Sequence, residues 1–395
     1  MFRKMPFILL TVIILILLIN PLLSLPAQQI SYAASLTIKS IIVFLLPFII
    51  FSLLFKTAVN LAHRATAVIG LILIAVCSSN FLSTFLSHYV GEWVYHFNLS
   101  LILPTETSHS LAPAWQWESP KLIANNKAMF GGIILGIIFG ITQKKLATLV
   151  AERLELAVNL ILKTFTYIIP IFVAGFVIKL QCDGVVQVIL KDYAKIFLII
   201  TAAQFGYIFF IYSLLNYFNG RKTLSCIKNI LPAAIAGFST MSSAAVMPLT
   251  IVGAENNAKN KSLAGAVIPA TVNIHLVGDC FAIPIFAYAI MKSFGIAEPS
   301  LMAYLTFIAY FVLAKFSVAA IPGGGIIVML PILENYLGFN AEMLSLITAL
   351  YILFDPVITS ANILGNGAFA KLIDKLFSYQ DQLIPLVKVE EESTS

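Results

Sequence analysis

Three groups of polar residues interrupt stretches that are otherwise apolar, and each is of a type that can bind a polar solute or an ion. The first is the hydroxyl run Ser239, Thr240, Ser242 and Ser243 within GFSTMSSAAVMPLT, Gly237 to Thr250, closed by Pro248. The second is Asp355, Thr359 and Asn362, whose spacing places all three on one face of a helix. The third is Thr271-Val272-Asn273-Ile274-His275, with Asp279 four residues past the histidine and so on the same helical face. Lipid offers an ionisable side chain no partner, so a histidine or aspartate inside an apolar span is a functional hypothesis by default. His275 titrates near neutral pH and can carry a proton, or it can sit neutral and hydrogen-bonded inside a bundle. Lys315 is a candidate ion-pair partner for Asp355. No second histidine or cysteine stands at metal-ligand spacing from His275.

The elements that must position these groups are membrane spans. With 60% hydrophobic and 11% charged residues over a chain of 395, a water-soluble domain could not hide its apolar surface. Mean hydropathy is +0.96. The formal net charge of +6 calls for no nucleic acid, because basic residues in short loops set membrane topology. Cys77, Cys182, Cys226 and Cys280 form no CxxC pair and read as packing residues.

The apolar runs predict an all-α polytopic membrane protein with eight crossings and two re-entrant hairpins. The crossings are Phe7 to Leu25, Leu36 to Leu54, Ala67 to Val90, Met129 to Ile141, Leu156 to Leu180, Ile196 to Tyr217, Ser262 to Phe294 and Met343 to Leu376. The hairpins are Cys226 to Ile251 and Leu301 to Tyr336, the second broken by Pro322-Gly323-Gly324-Gly325. Irregular backbone at membrane depth survives only where protein or a water-filled cavity receives its N–H and C=O groups, and paired broken segments point to a transporter's binding site. The positive-inside rule places both termini in the cytoplasm, with residues 379–395 as a cytoplasmic tail.

The serine-rich tip, Ala270-Thr271-Val272-Asn273, Ile321-Pro322-Gly323-Gly324-Gly325 and the series Asp355, Thr359, Asn362 occur in an order that resembles the dicarboxylate/amino acid:cation symporter family, the glutamate transporter homologues. Ile38-Lys39 followed by Pro47, and Asn125-Asn126 before a Gly-rich span, resemble its second and fourth helices. The resemblance implies a homotrimer in the cell inner membrane, a scaffold drawn mainly from residues 1–225, and a mobile core at 226–378 that carries its cargo as an elevator. It implies no enzyme activity and no cofactor beyond a coupling ion, Na+ or H+. Hydrolysis by Ser242 or Ser243 with His275 is the rival class, and the GxSxG elbow is missing. A transport-incompetent sensor on the same scaffold also stays open.

Carried over residue by residue, the resemblance assigns Ser242 and Ser243 to a substrate carboxylate, Ile321 and Gly325 to the gating tip, Asp355 to an amino group and Asn362 to the α-carboxylate, with Thr359 on the same face. The departures argue about cargo. His275 stands where the family has a sodium-coordinating carboxylate, and Asn366 where it has that group's partner, leaving Thr271, Asn273 and Asn362 as oxygen donors for a cation. Ile358 stands where members that take acidic substrates carry an arginine, and isoleucine cannot receive a carboxylate. A neutral amino acid is therefore expected, its side chain against Ile358 and Val277. Proton coupling is compatible with His275, and a sodium-coupled acidic symporter is the alternative.

Overall fold

The computed structural model describes residues 5–63, 67–96, 111–117, 119–120, 122–183, 186–318 and 323–393. Its helices are α1 (Met5–Ile19), α2 (Leu25–His63), α3 (Ala67–Tyr95), α4 (Asn125–Thr142), α5 (Lys144–Cys182), α6 (Val186–Leu215), α7 (Gly220–Thr240), α8 (Met247–Asn257), α9 (Lys261–Thr271), α10 (Val277–Ser293), α11 (Leu301–Lys315), α12 (Gly324–Leu337) and α13 (Ala341–Ser393). No strand occurs among the described residues.

Both expected hairpins correspond to packed helix pairs: α7 and α8 on either side of the serine tip, and α11 and α12 on either side of a tip in which residues 319–322, Pro322 included, lie outside the described residues. Their starts are capped as their sequences demand. Asn219 at the start of α7 accepts from Lys222 N at 3.1 Å and Ser300 at the start of α11 from Ala303 N at 3.3 Å, each satisfying an amide that a first turn leaves free; Asn260 caps α9 in the same way, from Leu263 N at 3.0 Å.

Helices α2, α5 and α13 run well past their expected bounds, α13 through residues 379–393 that were expected to form a tail, and two spans are shorter or interrupted. The first stops at Ile19, where Asn20-Pro21-Leu22 turns as a 3-10 helix, so α1 has 15 residues instead of the stretch from Phe7 to Leu25. At 1.5 Å per residue that is roughly 22 Å, short of the ~30 Å hydrocarbon core. The seventh, Ser262 to Phe294, is two helices, α9 and α10, separated by residues 272–276. Among the described residues, Leu25–Val59, Gly70–Tyr95, Tyr193–Leu215 and Glu342–Phe377 are long and apolar enough to cross a membrane. α5 joins them if its halves count as one span. They bend by 42° where Pro170 removes an N–H and crowds the carbonyl one turn back.

Helices α2, α4 and α5 pack on one another, whereas α3 and α6 pack with α10 and α13. Close approach in the first group depends on small residues. A Cβ on Gly132 would lie 2.7 Å from Phe51 O, and one on Gly136 would lie 2.6 Å from Ala58 Cβ. In the second group α10 is buried at every residue except Lys292, so it is an axial helix wrapped on all sides. The helix that carries Asp355, α13, lies against both α10 and α7.

Candidate functional site

The serine tip is built by a left-handed stop. Met241, at φ 49°, ends α7 with its N–H on Gly237 O at 2.8 Å, and the chain then reverses into α8. Ser242 Oγ accepts from Ala245 N at 3.3 Å, closing that reversal. Ser243, buried, lines a small cavity of about 30 Å³ together with Asn273, Asp279, Gly325, Tyr351, Asp355, Thr359 and Asn362. The two breaks and the α13 stripe therefore converge on one point.

On the α13 stripe, Asp355 Oδ2 accepts from Gly323 N at 2.8 Å and Oδ1 accepts from Thr359 Oγ1 at 3.0 Å. Gly323, at φ 72°, is the N-cap of α12, and the Asp355 carboxylate faces the amide-rich end of that helix. Asn362 links the stripe to α10. Its Oδ1 accepts from Gly278 N and its Nδ2 donates to Asp279 Oδ2, both at 2.8 Å. Asp279 Oδ1 accepts from Tyr351 OH at 2.5 Å and lies 3.6 Å from Lys315 Nζ.

The break at 272–276 is held from outside its own helix. Asn80 of α3 donates through Nδ2 to Ile274 O at 2.7 Å, and its Oδ1 accepts from Leu276 N at 3.2 Å. Backbone groups freed at membrane depth thus find protein partners, as lipid would require. His275, inside the break, meets Ser79 Oγ through Nε2 at 2.8 Å and stacks near Phe369, ring centroids 4.3 Å apart. Its Nδ1 has no partner among the described residues.

Of the residues singled out in the sequence, Ser243, Gly325, Asp355, Thr359 and Asn362 share the cavity, and Asn273 lies exposed at its edge. Thr271 and Asn366 form a neighbouring polar layer. Thr271 Oγ1 donates to Asn366 Oδ1 at 3.2 Å, and Asn366 Nδ2 donates to Asn362 O at 2.9 Å and His275 O at 3.2 Å. Ile358 is fully buried but does not line the cavity, and Ile321 lies outside the described residues. Val277 and the His275 imidazole face a different, mostly apolar cavity of about 280 Å³ between α3, α6 and α13.

Two sequence-based pairings change. Lys315 meets Asp279 instead of Asp355, and His275 turns to Ser79 instead of Asp279. The physical reason for the second is that α10 begins only at Val277, so the helical relation between positions 275 and 279 does not hold. Asp279 is 1% exposed. Tyr351 was missed, although it stands one helical turn before Asp355 on the same stripe. Ser79 and Asn80 carried no local signal that would tie them to a break almost two hundred residues away.

Comparison with known proteins follows the same lines. The model of the sodium:dicarboxylate symporter family matches residues 6–376. A proton/sodium-glutamate symport protein of Geobacillus stearothermophilus is 25% identical over 182 residues, 46% of this chain and 43% of that protein. An uncharacterized symporter of Haemophilus influenzae is 22% identical over 271 residues, 65% of this chain and 60% of its own. C4-dicarboxylate transport protein 2 of Polaromonas naphthalenivorans is 24% identical over 169 residues, 43% of this chain and 38% of that protein. The matched stretches thus span between 38% and 60% of these relatives' lengths.

Proposed function

The chain belongs to the sodium:dicarboxylate symporter family, a family of multi-pass membrane transporters, and from that premise we propose that it is a symporter of a neutral amino acid in which the sodium sites are degraded and a proton takes sodium's place. The observation that carries this reading is the chemistry of the convergent cavity. It is lined by the carboxylates of Asp355 and Asp279, by Ser243 and by Asn362, and no cationic side chain is among its lining residues.

An ionised carboxylate offers about four lone-pair positions, and Asp355 uses two of them on Gly323 and Thr359. The remaining two suit an ammonium group. The substrate carboxylate then falls to Ser243, near the start of α8, whose dipole end favours an anion even though Met247 N and Leu249 N already donate to Ala244 O and Val246 O. For the cation sites, Thr271, Asn273, Asn362 and Asn366 offer neutral oxygens, with Asp279 bonded to Asn362 and the backbone carbonyl of the ionisable residue His275 bonded to Asn366.

The names of the relatives favour a second reading, a sodium- or proton-coupled carrier of glutamate or a C4-dicarboxylate. That cargo brings a second carboxylate, which needs a cation. Among the described residues, the arginines at 153 and 221 do not line the cavity, and the Lys315 ammonium is already paired with Asp279. On the present reading the chain works as a homotrimer in the cell inner membrane with cytoplasmic termini, its core moving as an elevator.

Uptake into proteoliposomes under separate sodium and proton gradients tests the proposal. Proton-driven accumulation of a neutral amino acid, abolished by Asp355→Ala, is the expected result. Sodium-driven aspartate or glutamate uptake would overturn the cargo and coupling together, and uptake indifferent to Asp355→Ala would reject the amine assignment.

A further inference from the structure

Lys315 is the last residue of α11 and is fully buried. Its Nζ lies 3.6 Å from Asp279 Oδ1 and 4.5 Å from the centroid of the Phe311 ring, and it finds no hydrogen-bond acceptor among the described residues. Three independent features favour positive charge at this point whatever its source: the Asp279 carboxylate, the carbonyl end of the α11 dipole, and the face of an aromatic ring.

The oxygens gathered around Asp279 are hard donors. They are its own two carboxylate atoms and the Tyr351 hydroxyl at 2.5 Å; Asn362 faces Oδ2 with its nitrogen at 2.8 Å, its oxygen being taken by Gly278 N. Such a set suits a small alkali cation, and the ammonium stands beside it.

We propose that the Lys315 ammonium is a tethered cation that replaces an exchangeable sodium ion beside Asp279, so that this part of the site is permanently loaded and contributes no ion to transport. The inference rests on reading the cavity as a cation-coupled solute site and deepens that reading. It explains how Asp279 can remain a carboxylate, 1% exposed, without a free ion. It also predicts that deleting the ammonium alone converts Asp279 into a sodium site.

The test needs no solute, so its outcome is readable even if the uptake screen fails. Thermal unfolding of the detergent-solubilised full chain is compared in NaCl and in choline chloride at equal ionic strength. In Lys315→Met the melting temperature should be lowered in choline and rise saturably with sodium, and the rise should vanish in the double variant Lys315→Met/Asp279→Asn. A folded Lys315→Met with no sodium response, or a response that survives the second substitution, would overturn the proposal. So would a wild-type sodium response that Asp279→Asn abolishes, because Asp279 would then already hold an ion. If Lys315→Met gives no folded protein in either salt, the double variant decides: recovery of a folded protein supports mutual neutralisation, and failure to recover overturns it.

Discussion

At position 325 the chain has room for a hydrogen atom and nothing larger. A Cβ there would run into the Asp279 carboxylate and the Tyr351 hydroxyl, two groups fixed by their own short hydrogen bond. Gly325→Ala must therefore push the first turn of α12 away from both aspartates, at a cost of about 1–3 kcal/mol for overpacking. Gly206→Ala, in open space on α6, should stay within about 0.5 kcal/mol of wild type. Melting temperatures of the two variants check this; equal values would mean that α12 is not seated where Asp279 and Tyr351 place it. The glycine and the series Asp355, Thr359 and Asn362 were legible in the sequence because their geometry is local to one element. The ion pair of Lys315 with Asp279 was not, since it joins two helices whose docking no local spacing encodes.

At the scale of elements, both hairpin tips announced themselves through residues that end helices, the hydroxyl run before Pro248 and the glycines from 323 to 325. The break in the seventh span did not. Val272-Asn273-Ile274-His275-Leu276 contains neither glycine nor proline, and what holds it open is Asn80, 194 residues from Ile274. Removing that side chain should leave a buried carbonyl and a buried N–H without partners, at about 1–3 kcal/mol for each orphaned group. Asn80→Ala is thus expected to lower the melting temperature and to abolish uptake by letting α9 and α10 realign. Asn80→Asp keeps the acceptor for Leu276 N but loses the donor to Ile274 O, so its melting temperature should fall between wild type and Asn80→Ala. Equal melting temperatures for all three proteins would show that the break is held by something else.

Across the whole molecule, hydrogen bonds and apolar contacts are divided in a way that bears on motion. Within the α2, α4 and α5 group the ties are directional: Ser35 Oγ donates to Phe172 O at 2.8 Å, and Lys56 pairs with Glu155. Within the other group Asn80, Asn362 and Asn366 tie α3, α10 and α13 to the break. Where the groups meet at the serine tip, the contact is a patch of Ile169, Phe172, Val173 and Val177 from α5 against Met241 and Ile352. Apolar burial is not directional, so such a patch can shift register without orphaning a polar group. The cavity at Asp355, about 30 Å³, is about one water's share of liquid volume, so a solute of amino-acid size needs at least the start of α12 to move, taking Gly323 N off Asp355. If the core slides as a body, a cysteine pair at Val173 and Met241, in a chain whose four native cysteines are alanine, should stop uptake when cross-linked and restore it on reduction. A cross-linked protein that transports at the uncross-linked rate would mean that only the α12 tip opens and that the two groups keep their register throughout the cycle.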